Sequence, residues 1–197
     1  MNRWYSRHPL DGRVVTLLGV LLLTSAPVSS ADAQHPASRP FEAGEILTYR
    51  AVSGRFGTIG TGTMRVDGPV DMRGTPSLQL SFDFRGHVGI FGMEDRTRSW
   101  IALDEMKTLR FERREGSPLG SKSEEVEIFA DAGTWLGADG RSGETACEHP
   151  LDELSFLYYV RTIPLGEGER QVLVHHFDPA RNPITLRVMG RETITVP

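Results

Sequence analysis

From Phe41 onward the apolar positions recur mainly at every second residue. Leu78, Leu80, Phe82 and Phe84 alternate with Gln79, Ser81 and Asp83; Leu109 and Phe111 alternate with Arg110 and Glu112; Val126 and Ile128 alternate with Glu125 and Glu127. Successive side chains of an extended chain point to opposite faces, so these runs predict strands with one buried and one wet face. Asp67-Gly68-Pro69, Arg73-Gly74, Asp139-Gly140 and the stretch from Asp178-Pro179 to Asn182-Pro183 interrupt them with turn-forming residues. The pattern predicts strands over 45–53, 58–66, 77–85, 87–91, 96–103, 107–114, 122–130, 171–177, 184–190 and 192–196, with a small extra hairpin over 134–136 and 141–145. The expected fold class is mainly β: a curved antiparallel sheet or half-open barrel of about nine or ten strands, joined largely by hairpins and clasping one α-helix.

The helix is where the period changes. Leu151, Leu154, Leu157, Tyr158 and Val160 fall three and four apart, which predicts a helix over about 151–161. Pro150 suits its start, Asp152 and Glu153 complement its positive end, and Pro164 and Gly166 stop it. Phe156 and Tyr159 spread apolar character over most of its surface, so the helix is expected to sink into the sheet. Asp in place of Leu154 or Leu157 is then expected to harm folding more than Cys147→Ser. Inward aliphatic and aromatic side chains fit either a filled core or a lipid-binding cavity. Phe82, Phe84, Trp100, Phe111, Leu154 and Tyr158 are the candidate lining of such a cavity.

The first residues have another character. Arg3, Arg7 and Arg13 precede the short apolar run Val14 to Leu23, and a small-residue segment ends at Ala31-Asp32-Ala33. This predicts a signal peptide over 1–33 cleaved after Ala33, a flexible leader over 34–40, and one β-rich domain over 41–197. The apolar run is short of the roughly 20 residues that span a bilayer, and there is no cysteine at the cleavage site for a lipid anchor. The expected location is the periplasm, with no membrane span after cleavage. The remaining 164 residues carry 19 basic and 24 acidic side chains, a balance that offers no footprint for nucleic acid. Cys147 is the single cysteine, so no internal disulfide forms and the fold rests on burial and sheet hydrogen bonds.

Candidate chemistry is sparse. Cys147, Glu148 and His149 are consecutive and cannot share one direction in a helix or strand. His175 and His176 are adjacent in a predicted strand and face opposite sides, and no metal-ligand spacing is present, so neither a metal nor a cofactor is expected. Ser155 lacks a nucleophile elbow. The glycines of Gly57-Thr58-Ile59-Gly60-Thr61-Gly62 precede a strand pattern, without the lysine of a phosphate loop, and are read as a glycine-rich strand, bulge or bend.

Several segments together resemble a family of exported bacterial proteins, domain of unknown function 3108. They are Phe41-Glu42-Ala43-Gly44-Glu45-Ile46-Leu47-Thr48-Tyr49, Ile59-Gly60-Thr61-Gly62, Pro150 through Arg161, Ile163-Pro164-Leu165 and Val188-Met189-Gly190-Arg191-Glu192. The resemblance carries no activity; Asp152, Ser155, Tyr158 and Arg161 transfer as motif positions without roles. Such proteins look similar to sheets that clasp a helix, as in periplasmic lipoprotein carriers, an analogy of fold alone. The resemblance also implies strands beyond Pro197, so the chain is read either as shortened or as dispensing with them. The functional expectation is a non-enzymatic periplasmic protein that binds an apolar or amphipathic envelope component, or a partner protein. The competing expectation is a cell-envelope hydrolase using distant residues such as Asp152, Ser155 and His175 or His176; a purely structural role is a third.

Overall fold

The computed structural model describes residues 39–118 and 120–193; the segment expected to be a signal peptide and most of the expected leader lie outside them. Eight strands form one open antiparallel sheet in sequence order: β1 (Ile46–Ser53), β2 (Gly57–Met72), β3 (Thr75–Val88), β4 (Phe91–Ala102), β5 (Thr108–Ser117), β6 (Gly120–Phe129), β7 (Thr134–Gly137) and β8 (Ser142–Glu144). A single helix, α1 (Glu153–Val160), follows, and β9 (Arg170–Leu173) pairs with β10 (Ile184–Arg187) as a separate ladder. Every pairing in the eight-stranded sheet joins sequence neighbours, so short hairpins satisfy the register locally. The mainly β antiparallel fold with one helix is as expected, and the sheet is open, with no closed barrel among the described residues.

Several boundaries differ from the periodic reading. The runs at 77–85 and 87–91 are one strand and its turn, because Gly86 continues the ladder opposite Gly60 and Met93. β2 continues past Asp67-Gly68-Pro69 to Met72, and the ladder with β3 absorbs the proline as an irregularity between Asp67 and Val70. Residues 191–193 lie in no strand, and the rest of the segment predicted over 192–196 is outside the described residues.

The alternation sorts the sheet into two unlike faces. One face presents Val66, Leu80, Ile101, Phe111, Val126 and Ile128, and all the core lies on it. Phe41, Val66, Leu78, Leu80, Ile101, Leu154 and Tyr158 form one cluster under α1; Phe111, Val126, Ile128, Trp135 and Phe177 form a second. Each fully buried large apolar side chain contributes roughly 1.5–3 kcal/mol. The opposite face is a charged lattice in which Arg98 donates to both Asp83 oxygens (2.9 and 3.0 Å), Arg110 reaches Glu112 and Glu127, and Arg114 reaches Glu125. Exposed pairs of this kind add at most about 1 kcal/mol each, yet they keep this face wet.

Two corrections follow. Trp100 lies opposite Arg110 on the charged face, its ring 5.6 Å beneath that guanidinium, and so takes no part in lining the helix-bearing face. The helix does not sink into the sheet either. Leu154, Ser155 and Tyr158 are its buried stripe, whereas Leu157 is 56% exposed. Four residues after Glu153, Leu157 lies on the side of the helix that overhangs the edge of its contact, which its apolar character alone does not reveal. Among the described residues no helix is long and apolar enough to cross a membrane.

Candidate functional site

The helix start is built as a buried polar knot. Asp152 is fully buried; its Oδ1 accepts from the backbone N–H of Leu154 (2.8 Å) and Ser155 (3.0 Å), and its Oδ2 accepts from Ser99 Oγ (2.5 Å) and Thr108 Oγ1 (2.9 Å). Ser155 Oγ accepts from the Asp152 N–H at 2.9 Å and lies 2.9 Å from Thr108 Oγ1, completing a capping box. Burial pushes the Asp152 carboxyl above its ordinary range, against the lowering effect of the Ser99, Ser155 and Thr108 bonds. Four donors on a carboxylate with no water access describe a helix anchored to β4 and β5. No histidine hydrogen-bonds to Ser155 among the described residues, and the serine itself is fully buried.

At the other end Arg161 donates to both oxygens of Glu45 (2.7 Å each) and to the Pro40 carbonyl (2.7 Å), holding the start of the domain against the helix. Its guanidinium also lies 5.6 Å from the Phe41 ring and 5.3 Å from that of Tyr158. Phe41 and Tyr158 meet edge to face at 4.9 Å. Burial pushes the Tyr158 hydroxyl up to about 12, and that hydroxyl has no hydrogen-bond partner.

The two histidines part company. His175 lies 3.8 Å from Cys147 Sγ and 3.4 Å from the Tyr159 hydroxyl. Burial pushes the Cys147 thiol up, the opposite of an activated thiolate. His176 is buried on the other side; its Nδ1 accepts from the Asp178 N–H (3.0 Å), which leaves Nε2 to carry a proton toward Glu153 Oε1 at 3.5 Å. Arg181 bridges the same Glu153 oxygen and Glu124. Burial would raise the Glu153 carboxyl, but His176, its own backbone N–H and Arg181 bring it down to about 2. Its second oxygen, Oε2, is buried without a partner, as is Arg113 Nε.

The side chains that carry these two buried atoms border the most suggestive feature of the molecule. Between α1 and the sheet, Met64, Phe82, Thr97, Phe111, Leu154 and Leu157 wall a cleft of about 200 Å³ whose polar edge is Asp95, Arg113 and Glu153. A groove of about 490 Å³ along Phe84, Met93, Glu115 and Lys122 shares the Asp95 wall with it. Across this face the β2–β3 side is apolar, and from Asp95 on β4 through β5 and β6 it is charged, with Arg113 joined to Asp95 (3.4 Å) and to Glu115. The apolar side depends on the glycine motif. Gly60, Gly62 and Gly86 underlie the Phe82 and Phe84 rings, and a Cβ at Gly60 would stand 2.5 Å from Phe84 Cζ. The glycines therefore clear the space in which two aromatic rings lie across β2.

Of the candidate lining, Phe82, Phe84, Phe111 and Leu154 border this trough, while Tyr158 is enclosed in the neighbouring core. Sequence reading overlooked Met64, Arg113, Glu153 and Leu157. The first two sit in register beside Phe82 and Thr97, a relation visible only once strands are paired. Among the described residues no group of three or more His, Cys, Asp and Glu side chains converges as a metal site. No curated protein and no solved structure matched the chain in comparison. The family model described as "Protein of unknown function (DUF3108)" matches residues 47–197, and the chain belongs to that family.

Proposed function

We propose that this is an exported, periplasmic protein that binds an amphipathic component of the cell envelope without transforming it, on the helix-bearing face of its sheet. The observation that carries the reading is the lateral division of that face, with Met64, Phe82, Phe84, Met93 and Leu157 on one side and Asp95, Arg113, Glu115 and Lys122 on the other. An acyl or other apolar segment would enter the cleft and a polar head would meet the partly exposed Arg113 side chain. The cleft, about 200 Å³, is smaller than the roughly 300–1,000 Å³ of ordinary small-molecule sites. It accommodates part of a ligand, and the remainder lies along the adjoining groove. The signal-like N-terminus supports export, because its basic, apolar and small-residue regions follow in the order that secretion requires.

The test is mass spectrometry of organic extracts from protein purified out of the periplasm. One amphipathic class should copurify with the wild type and fall at least about tenfold in Leu157→Asp, a change at an exposed cleft wall that spares the core. An empty wild-type protein that turns over ester or glycan substrates would overturn the reading in favour of a hydrolase.

A further inference from the structure

The turns joining β1 to β2, β3 to β4 and β5 to β6 emerge at the same end of the sheet, and the first two reach beyond the third. Ala51, Gly60, Gly86 and Met93 stand level across the four strands, and each hairpin continues beyond that level by a similar length. Their tips carry large apolar side chains turned to water: Val52 is 65% exposed, Phe56 55%, Ile90 92% and Phe91 56%. None of these packs on the core clusters, so the fold itself does not require them. Between Arg50 and Thr58, and between Gly86 and Met93, the ionisable side chains are Arg50, Arg55 and His87, with no carboxylate, on a chain in which acidic residues outnumber basic ones. The Arg55 guanidinium lies 5.2 Å from the Phe56 ring, within the same turn.

Apolar tips accompanied by arginines long enough to reach back from them, Arg55 beside Phe56 in the turn and Arg50 two residues before Val52 in β1, suit the surface of an anionic bilayer, where acyl chains lie beneath phosphates. We propose that the paired β1–β2 and β3–β4 hairpin tips dock on the surface of an anionic lipid bilayer. Val52, Phe56, Ile90 and Phe91 enter the acyl boundary while Arg50 and Arg55 meet headgroup phosphates. Docking does not depend on ligand binding in the trough. Phe91 and Met93 nevertheless share the helix-bearing face with Phe84, so a docked molecule presents one end of the trough to the membrane.

The experiment uses the full chain in a Cys147→Ser background with an environment-sensitive fluorophore on Ile90→Cys or, at the opposite end of the sheet, on Asp104→Cys. A local probe is needed because the run Val14 to Leu23 is itself apolar. With phosphatidylglycerol-containing vesicles the probe at 90 should shift to the blue and be quenched by lipid-borne quenchers, while the probe at 104 stays unchanged. Removing Arg50 or Arg55 should weaken binding about fivefold each, and phosphatidylcholine vesicles should bind correspondingly more weakly. Phe56→Ser with Phe91→Ser should weaken it at least about tenfold at unchanged melting temperature. A silent probe at 90, equal responses at 90 and 104, or equal affinity for both vesicle types would overturn the proposal. So would a blue shift that grows with protein concentration in the absence of vesicles, which would assign the tips to a second copy of the chain.

Discussion

Asp152 concentrates the polar chemistry of the fold in one buried side chain. Asp152→Ala removes the helix cap and leaves Ser99 Oγ without its acceptor, so a loss of about 3 kcal/mol is expected in denaturant melts. Asp152→Asn keeps the acceptor toward Leu154 and Ser155 and should lose about 1 kcal/mol. Because burial raises the folded-state pKa of Asp152, its contribution is complete below the ordinary carboxylate pKa and declines as pH rises through the raised value. The stability gap between wild type and Asp152→Asn should therefore narrow with rising pH; a widening gap would show that the knot prefers the anion. Glu153 has the reverse sign. Its pKa is lowered from 4.5 to about 2, so its contribution is present above 4.5 and is lost as pH falls toward 2. Glu153→Gln should flatten the acid limb of stability in that window, and an unchanged limb would remove the His176 and Arg181 pairing from the account. Gly60→Ala brings a Cβ within 2.7 Å of the Arg85 carbonyl as well as against the Phe84 ring. It should destabilise by about 1–3 kcal/mol, while Gly92→Ala, which meets nothing within 4 Å, should stay within about 0.5 kcal/mol in the same thermal scan.

At the scale of the element, α1 is short and is held by its ends as much as by its apolar stripe. A helix of eight residues is marginal in isolation, so its persistence rests on the Asp152 knot, the Arg161–Glu45 pair and the packing of Leu154 and Tyr158. Leu154→Asp places a carboxylate in the core and should prevent folding or lower stability by more than about 4 kcal/mol. Leu157→Asp, on an exposed wall, should change the melting temperature little. Equal damage from the two substitutions in a circular-dichroism melt would mean that Leu157 is covered in solution. The hairpins show the same division between what the fold needs and what it leaves over: their strands are paired throughout, while Phe56 and Ile90 at their tips contribute nothing to the core.

At the scale of the whole molecule, a meandering sheet has one face to bury, and a single short helix covers only part of it. The uncovered part is where Phe82 and Phe84 stand beside Arg113 and Glu115. An ordinary folded domain closes such a surface, so an open amphipathic trough beside apolar hairpin tips is the most conspicuous property of the architecture. If the trough holds a ligand, saturating it should raise the melting temperature in proportion to the logarithm of free ligand, and Leu157→Asp should remove that dependence.

The strands, the helix and the mainly β class were legible along the chain because period two and period three to four are properties of neighbouring residues. The capping residues were legible for the same reason, since Asp152 and Ser155 lie within one turn. Which face Trp100 occupies was accessible in principle from alternation, but register and the irregularity beside Ile101 had to be known first. The exposure of Leu157, the union of Glu153 with His176 and Arg181, and the meeting of Met64 with Phe82 depend on segments far apart along the chain. Such contacts arise when strands and helix pack, and local periodicity carries no information about them. The helix was therefore written in residues 150–161, whereas the trough beside it came into being only as the sheet assembled.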